Sequence, residues 1–200
     1  MTKFKSANGA VVALGLLGCA SMISTAFAHG RLGRATHDRA GVLAALISGQ
    51  KPFTGKERAP VKVVGFIDYE CPACRIQFQQ VEAKVAKTKN ACLYIEQAPL
   101  PYHKLAKPAA ILAVKAESKG IYPAVHLSLL KGHELSNETL KKVCKRFGID
   151  DRATASNAAT LTREYKAFNQ LGIAQVPFFV VADGKTLRFG NTKKTLELLR

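Results

Sequence analysis

Tryptophan is absent from the 200 residues, methionine occurs twice, and Asp and Glu together number 14 against 30 Lys and Arg. The shortage of acid leaves a formal charge of +16. The cations are dispersed and few aromatics interleave with them, a pattern that argues against nucleic-acid binding and reads as solvated surface. No apolar run reaches the ~20 residues that a membrane span needs, and Ser21, Ser24 and Thr25 interrupt the best candidate. A second C-x-x-C is also missing, and Cys92 and Cys144 follow Cys74 at successive intervals of 18 and 52 residues. Those spacings do not suit a zinc site, so no metal is expected.

What the chain does carry begins with an export signal. Lys3 and Lys5 precede the apolar stretch from Ala10 to Leu17, and Ala26-Phe27-Ala28 precedes His29, the three regions of a secretory leader. Residues 1–28 are therefore expected to be removed after Ala28, giving a periplasmic or secreted protein. Leu16-Leu17-Gly18-Cys19 leaves a second reading open, in which Cys19 is lipidated and tethers the protein to a membrane. The 172 residues from His29 onward keep 28 cationic and 14 acidic side chains, a charge of +14. They suffice for a domain that buries roughly 68–70% of its unfolded surface without disulfide staples. The four remaining cysteines thus ask for a chemical reason.

Residues 29–60 read as an N-terminal helix and linker. Asp38 offers the N-cap of a helix over 39–48, Val42, Leu43, Leu46 and Ile47 its apolar stripe, and Gly49 its left-handed end. Residues 52–60, rich in Lys, Gly and Pro, read as the linker. Residues 61–200 read as the main domain. Val61 to Ile67 and Ala91 to Gln97 have strand character, and between them Cys74, Phe78, Val81 and Val85 recur at helical spacing. That order predicts a parallel strand pair with a crossover helix.

Between about 103 and 172 the chain reads as a helical insertion of four pieces. Pro108 and Pro123 suit first turns, and Gly120, Gly132, Gly148 and Gly172 suit ends. Ser136 suits a cap, while Asp150 and Asp151 suit the N-terminus of the last piece. His103, His126 and His133 are read as capping or surface groups. Phe178 to Val181, the turn Asp183-Gly184 and Thr186 to Phe189 predict a hairpin, and a helix from Thr192 closes the chain. The pattern is an α/β sandwich around one mixed sheet.

Chemistry concentrates at Cys71-Pro72-Ala73-Cys74, where strand gives way to helix. A helix N-terminus presents unpaired N–H groups and the positive end of the macrodipole, which favour thiolate over thiol. Pro72 lacks an N–H and has a helix-ready φ, so it stiffens the first turn. Ala73 is small, and neither residue adds a cation or a side-chain donor to tune the pair. Asp68 and Glu70 flank it as candidate proton-transfer groups, set against a turn cap for Asp68 and a solvent-facing Glu70. Cys92 and Cys144 leave two readings open, a structural disulfide or two inert buried thiols.

The run Phe66-Ile67-Asp68-Tyr69-Glu70-Cys71-Pro72-Ala73-Cys74, the helical insertion before Val176-Pro177, and the terminal hairpin and helix resemble the DsbA family of thioredoxin-fold oxidoreductases. The likeness covers roughly residues 36–200. Cys71 lies 106 positions before Pro177, more than a minimal thioredoxin needs, and no Trp precedes the first Cys. The resemblance implies a thioredoxin fold with a helical insertion, Cys71 as nucleophile and Cys74 as its partner. It also implies a cis bond at Val176-Pro177 whose loop pairs with an extended substrate peptide. The implied activity is that of an exported dithiol oxidase introducing disulfides into exported proteins. An isomerase or reductase of the same fold, and a basic periplasmic binding protein with a structural C-x-x-C, are the alternatives. Expected partners are unfolded or reduced exported proteins and a membrane or periplasmic redox partner. No cofactor and a monomeric state are expected. One departure stands out: some members carry a buried Glu six residues before the nucleophile, where this chain has Gly65.

Overall fold

The computed structural model describes residues 38–184 and 186–200. The leader, with Cys19 and the expected cleavage after Ala28, lies outside the described residues. Five strands form one mixed sheet in the order β1-β3-β2-β4-β5. They are β1 (Thr54–Gly55), β2 (Val61–Ile67), β3 (Ala91–Gln97), β4 (Phe178–Asp183) and β5 (Thr186–Gly190). β2 and β3 run parallel with Val63 opposite Leu93, joined by α2 (Pro72–Lys87). β4 and β5 form the antiparallel hairpin predicted around Asp183-Gly184. The stretch read as a linker departs from expectation: Thr54–Gly55 pairs antiparallel with β3 as an edge strand. Two residues are too few for the alternation that marks a strand in sequence.

Strand alternation divides the interior into two layers, because successive side chains point to opposite faces. Val63, Ile67, Leu93 and Ile95 meet the apolar face of α2, formed by Cys74, Phe78, Val81 and Val85. Val64, Phe66, Cys92 and Tyr94 face α1 (Arg39–Ile47) and α6 (Ala155–Gln170) on the other side. Asp38 caps α1 by accepting from the Gly41 N–H at 3.0 Å.

Four helices make up the insertion, α3 (Ala106–Ser118), α4 (Tyr122–Leu130), α5 (Asn137–Phe147) and α6, and α7 (Thr192–Leu198) closes the chain. Ser136 caps α5 through the Thr139 N–H, and Gly148 ends that helix at φ 60°. The start of α6 corrects a prediction. Thr154, not Asp150 or Asp151, caps it, and Asp150 instead accepts from Lys115 Nζ at 2.9 Å. The hydroxyl reaches the Asn157 N–H, whereas Asp150 lies too early in the chain to do so.

Two carboxylates are buried on the α6 side of the sheet, Glu96 on β3 and Glu164 on α6. Glu164 accepts from the Gln97 N–H at 2.6 Å. Neither Glu96 oxygen has a hydrogen-bond partner among the described residues. Burial, with Glu117 nearby, pushes the Glu96 carboxyl up to about 8, and burial together with Glu96 raises Glu164 as well.

Candidate active site

β2 ends at Ile67, the chain turns through Asp68-Tyr69-Glu70, and Cys71 becomes the N-cap residue of α2 with Pro72 in its first turn. Cys71 remains 8% exposed while Cys74, one turn on, is fully buried. The Cys74 S–H donates to Cys71, and the N–H groups of Cys74 and Ala73 add to it. Against the opposing cost of burial, these donors bring the Cys71 thiol down to about 6. Burial, reinforced by the same pairing, pushes Cys74 far up. The two sulfurs are therefore unequal, one ionised near neutrality and one held as a thiol.

Across from them the Val176–Pro177 bond is cis, and the Val176 carbonyl lies 3.7 Å from Cys71 Sγ. Pro72, Ala73, Asp68 and Glu70 gather at the same place. Asp68 is buried and fully engaged: Oδ1 accepts from the Glu70 N–H at 2.8 Å, and Oδ2 accepts from the Leu100 N–H at 2.8 Å and lies 2.7 Å from His103 Nδ1. Three partners make it a clamp for the β3–α3 loop. Glu70 does not face water freely; its Oε2 accepts from the Leu105 N–H at the head of α3.

Cys92 and Cys144 are not brought together. All four described cysteines are free thiols, with Cys92 in the α1/α6 layer and Cys144 packed against the α2 layer. Cys92 is buried and Cys144 only half-buried. Position 65 explains the departure from the family pattern. A Cβ there would lie 2.5 Å from Phe78 Cζ and 2.8 Å from Phe179 Cε1, so the aromatic rings occupy the space a side chain would need.

Sequence reasoning missed a second tier beneath the cysteines. Arg75, 3% exposed, donates through Nη1 to the carbonyls of Tyr69 and Leu129 and through Nη2 to those of Lys131 and Gly132. It thereby ties the start of α2 to the end of α4, whose last carbonyls lack partners within the helix. Its place three residues before Phe78 was the available signal, and its charge hid it. His126 is also corrected, from a surface or capping group to a wholly buried one. Its Nδ1 lies 2.8 Å from Tyr69 Oη and its Nε2 2.8 Å from Glu82 Oε1. Two hydrogen-bond partners offset its loss of water.

Comparisons with known proteins agree with this geometry. A thioredoxin family model matches residues 48–199. No curated protein matches the sequence. Among solved structures, a thioredoxin-like oxidoreductase from Silicibacter pomeroyi DSS-3 is 26% identical, with a TM-score of 0.60, covering 72% of this chain and 87% of that one. A periplasmic thioredoxin-like protein from Salmonella enterica serovar Typhimurium is 20% identical, with a TM-score of 0.63 over 79% of this chain and 92% of that one. The thiol-disulfide exchange protein alpha-DsbA2 from Wolbachia pipientis is 22% identical, with a TM-score of 0.60 over 80% and 93%. The last two are likenesses of fold. By the family match over residues 48–199, with which the observed fold agrees, this chain belongs to the thioredoxin family.

Proposed function

We propose that the protein is an exported thiol-disulfide oxidoreductase that oxidises dithiols in exported proteins through Cys71 and Cys74. The observation that carries this reading is the asymmetry of the pair: Cys71 down to about 6 at a helix N-terminus and Cys74 raised and buried. An easily ionised Cys71 stabilises the dithiol form relative to the disulfide, which makes the pair a better oxidant. The periplasmic and thiol-exchange relatives support export and the redox class.

In the oxidised enzyme a substrate thiolate attacks Cys71 Sγ and breaks the Cys71–Cys74 bond. Cys74 leaves with the electron pair and takes up a proton. A second substrate thiolate then attacks the substrate sulfur of the mixed disulfide, and Cys71 leaves as the stabilised thiolate. Two electrons pass from substrate to enzyme, and the disulfide of a redox partner removes them. Main-chain groups beside Val176 and Pro177 hold the substrate with little demand on its sequence.

Equilibration of the mature protein with glutathione buffers, read by alkylation and mass, tests the direction. An oxidase holds Cys71 and Cys74 as dithiols in buffers that leave an ordinary structural disulfide intact. A pair that stays oxidised under strongly reducing buffers makes the protein a reductase or gives its C-x-x-C a structural role. Cys74→Ala should retain substrates on Cys71 as mixed disulfides.

A further inference from the structure

A groove of about 770 Å³ opens between the β3–α3 loop and α6. Leu100, Pro101, Ile111, Leu161 and Tyr165 give it apolar walls, and Ile111 and Leu161 belong to a small buried cluster of their own. Lys104, Lys107 and Lys166 stand on its rim, all exposed, with His103 at one end. Among the described residues no carboxylate lines it. Its volume falls in the range of ligand sites, and its surface has the composition of one.

Shape and position narrow the occupant. α6 lines the groove from Ala158 to Asn169, about 16 Å at helical rise, which accommodates about five extended residues. Cys71, Val176 and Pro177 do not line it, yet His103 at its end touches Asp68, three residues before Cys71. The chain's own residues 1–37 hold no Asp or Glu and carry Lys3, Lys5, Arg31 and Arg34, so they offer the rim no anion. A second copy, itself at +16, is repelled. A membrane surface is flat and does not fill a walled groove.

We propose that this groove docks an acidic, apolar segment of a protein partner that exchanges thiols at Cys71. The partner's apolar side chains fill the space between Leu100 and Leu161, and its carboxylates meet Lys104, Lys107 and Lys166. The identity of the partner rests on the redox reading given above; the docking itself does not. A partner held at both the groove and the cis-proline loop gains from the raised effective concentration of its thiol at Cys71.

The test measures fluorescence anisotropy of a labelled peptide of leucine, phenylalanine and glutamate on the wild-type mature protein, beside its counterpart with lysine for every glutamate. The acidic peptide is expected to bind about tenfold more tightly, and the triple variant Lys104→Glu, Lys107→Glu, Lys166→Glu to lose about that factor. The three lysines are exposed, so the variant keeps its fold, which circular dichroism checks. Equal binding of the two peptides, or an unchanged affinity in the triple variant, overturns the proposal. Displacement of the acidic peptide by phosphatidylglycerol vesicles also overturns it, in favour of a lipid surface. Wild-type thiol exchange with glutathione is followed in parallel. Exchange without peptide binding removes the groove alone, and peptide binding without exchange removes the redox reading alone.

Discussion

Cys71 and Glu96 lie at the same end of the sheet and are driven in opposite directions. Glu96 stands opposite Phe66 across β2 and β3, and Cys71 follows Phe66 by five residues. Both are largely removed from water. Cys71 sits where a helix begins, and the donors aimed at it outweigh burial and bring it down to about 6. Neither Glu96 oxygen has a donor at close hydrogen-bond distance among the described residues, and Arg163 and Gln50 offset only part of the effect of burial and Glu117, which holds the carboxyl up to about 8. Depth alone therefore sets neither the sign nor the size of the shift; the donors and charges facing the anion decide it. Arg75 is a third case, a buried cation with four carbonyl acceptors.

The largest effect is expected where the anion is best served. Cys71→Ser should abolish thiol exchange outright. In the wild-type dithiol form, iodoacetamide labelling of Cys71 should rise with pH about a midpoint near 6. At about pH 6 the larger thiolate fraction, reduced by the lower nucleophilicity of a more acidic thiol, gives roughly a twentyfold advantage over an ordinary cysteine. Cys92 and Cys144, both raised by burial, should stay unlabelled over the same interval. A Cys71 midpoint near 8.5, the value of a free thiol, would erase the contrast with Glu96.

Arg75 sharpens the comparison through stability. Arg75→Met fills the same space but leaves the carbonyls of Tyr69, Leu129, Lys131 and Gly132 without their donors. Loss of a charge-assisted, buried network of this kind should cost about 3 kcal/mol in urea unfolding. A loss under about 1 kcal/mol would mean that water serves those carbonyls as well as the guanidinium does.

Much of this was legible before any coordinates. β2 and β3 were readable as short, largely apolar runs of the kind a strand buried on both faces presents, and α2 because its apolar positions recur at helical spacing. The caps Asp38 and Ser136 were readable because their effect is local, three residues ahead. What escaped depends on distant parts of the chain. β1 exists only because β3 offers an edge, and Arg75 is buried only because α4 ends above it 54 residues later. His126 likewise needs Tyr69 and Glu82 from another element. The cysteine pair was visible in one motif, the cis bond came from family likeness, and the tier that positions α2 was invisible because its partners are main-chain carbonyls.

Glu96 gives the smallest effect and the most direct test of sign. Its carboxyl titrates at about 8 in the fold, against 4.5 for an unperturbed Glu. A raised value means the folded state holds its proton longer than the unfolded chain does. Its contribution is therefore fully present below about 4.5 and is lost as pH rises to about 8. Cys71 acts in reverse, because its value is lowered from 9.0 to about 6; the dithiol form gains stability across that interval as pH rises. Between 6 and 8 the two slopes oppose each other, so the measurement belongs in a Cys71→Ser background, which removes the opposing slope. There Glu96→Gln should be more stable by about 2 kcal/mol at pH 8 and equal at pH 4.5, with a shallower decline between. Glu164, itself raised and adjacent, should retain part of the slope. If Glu96→Gln instead loses stability at pH 8 and keeps the full decline, Glu96 is ionised and partnered in the fold, and the donors and charges facing each anion no longer explain why the two sites diverge.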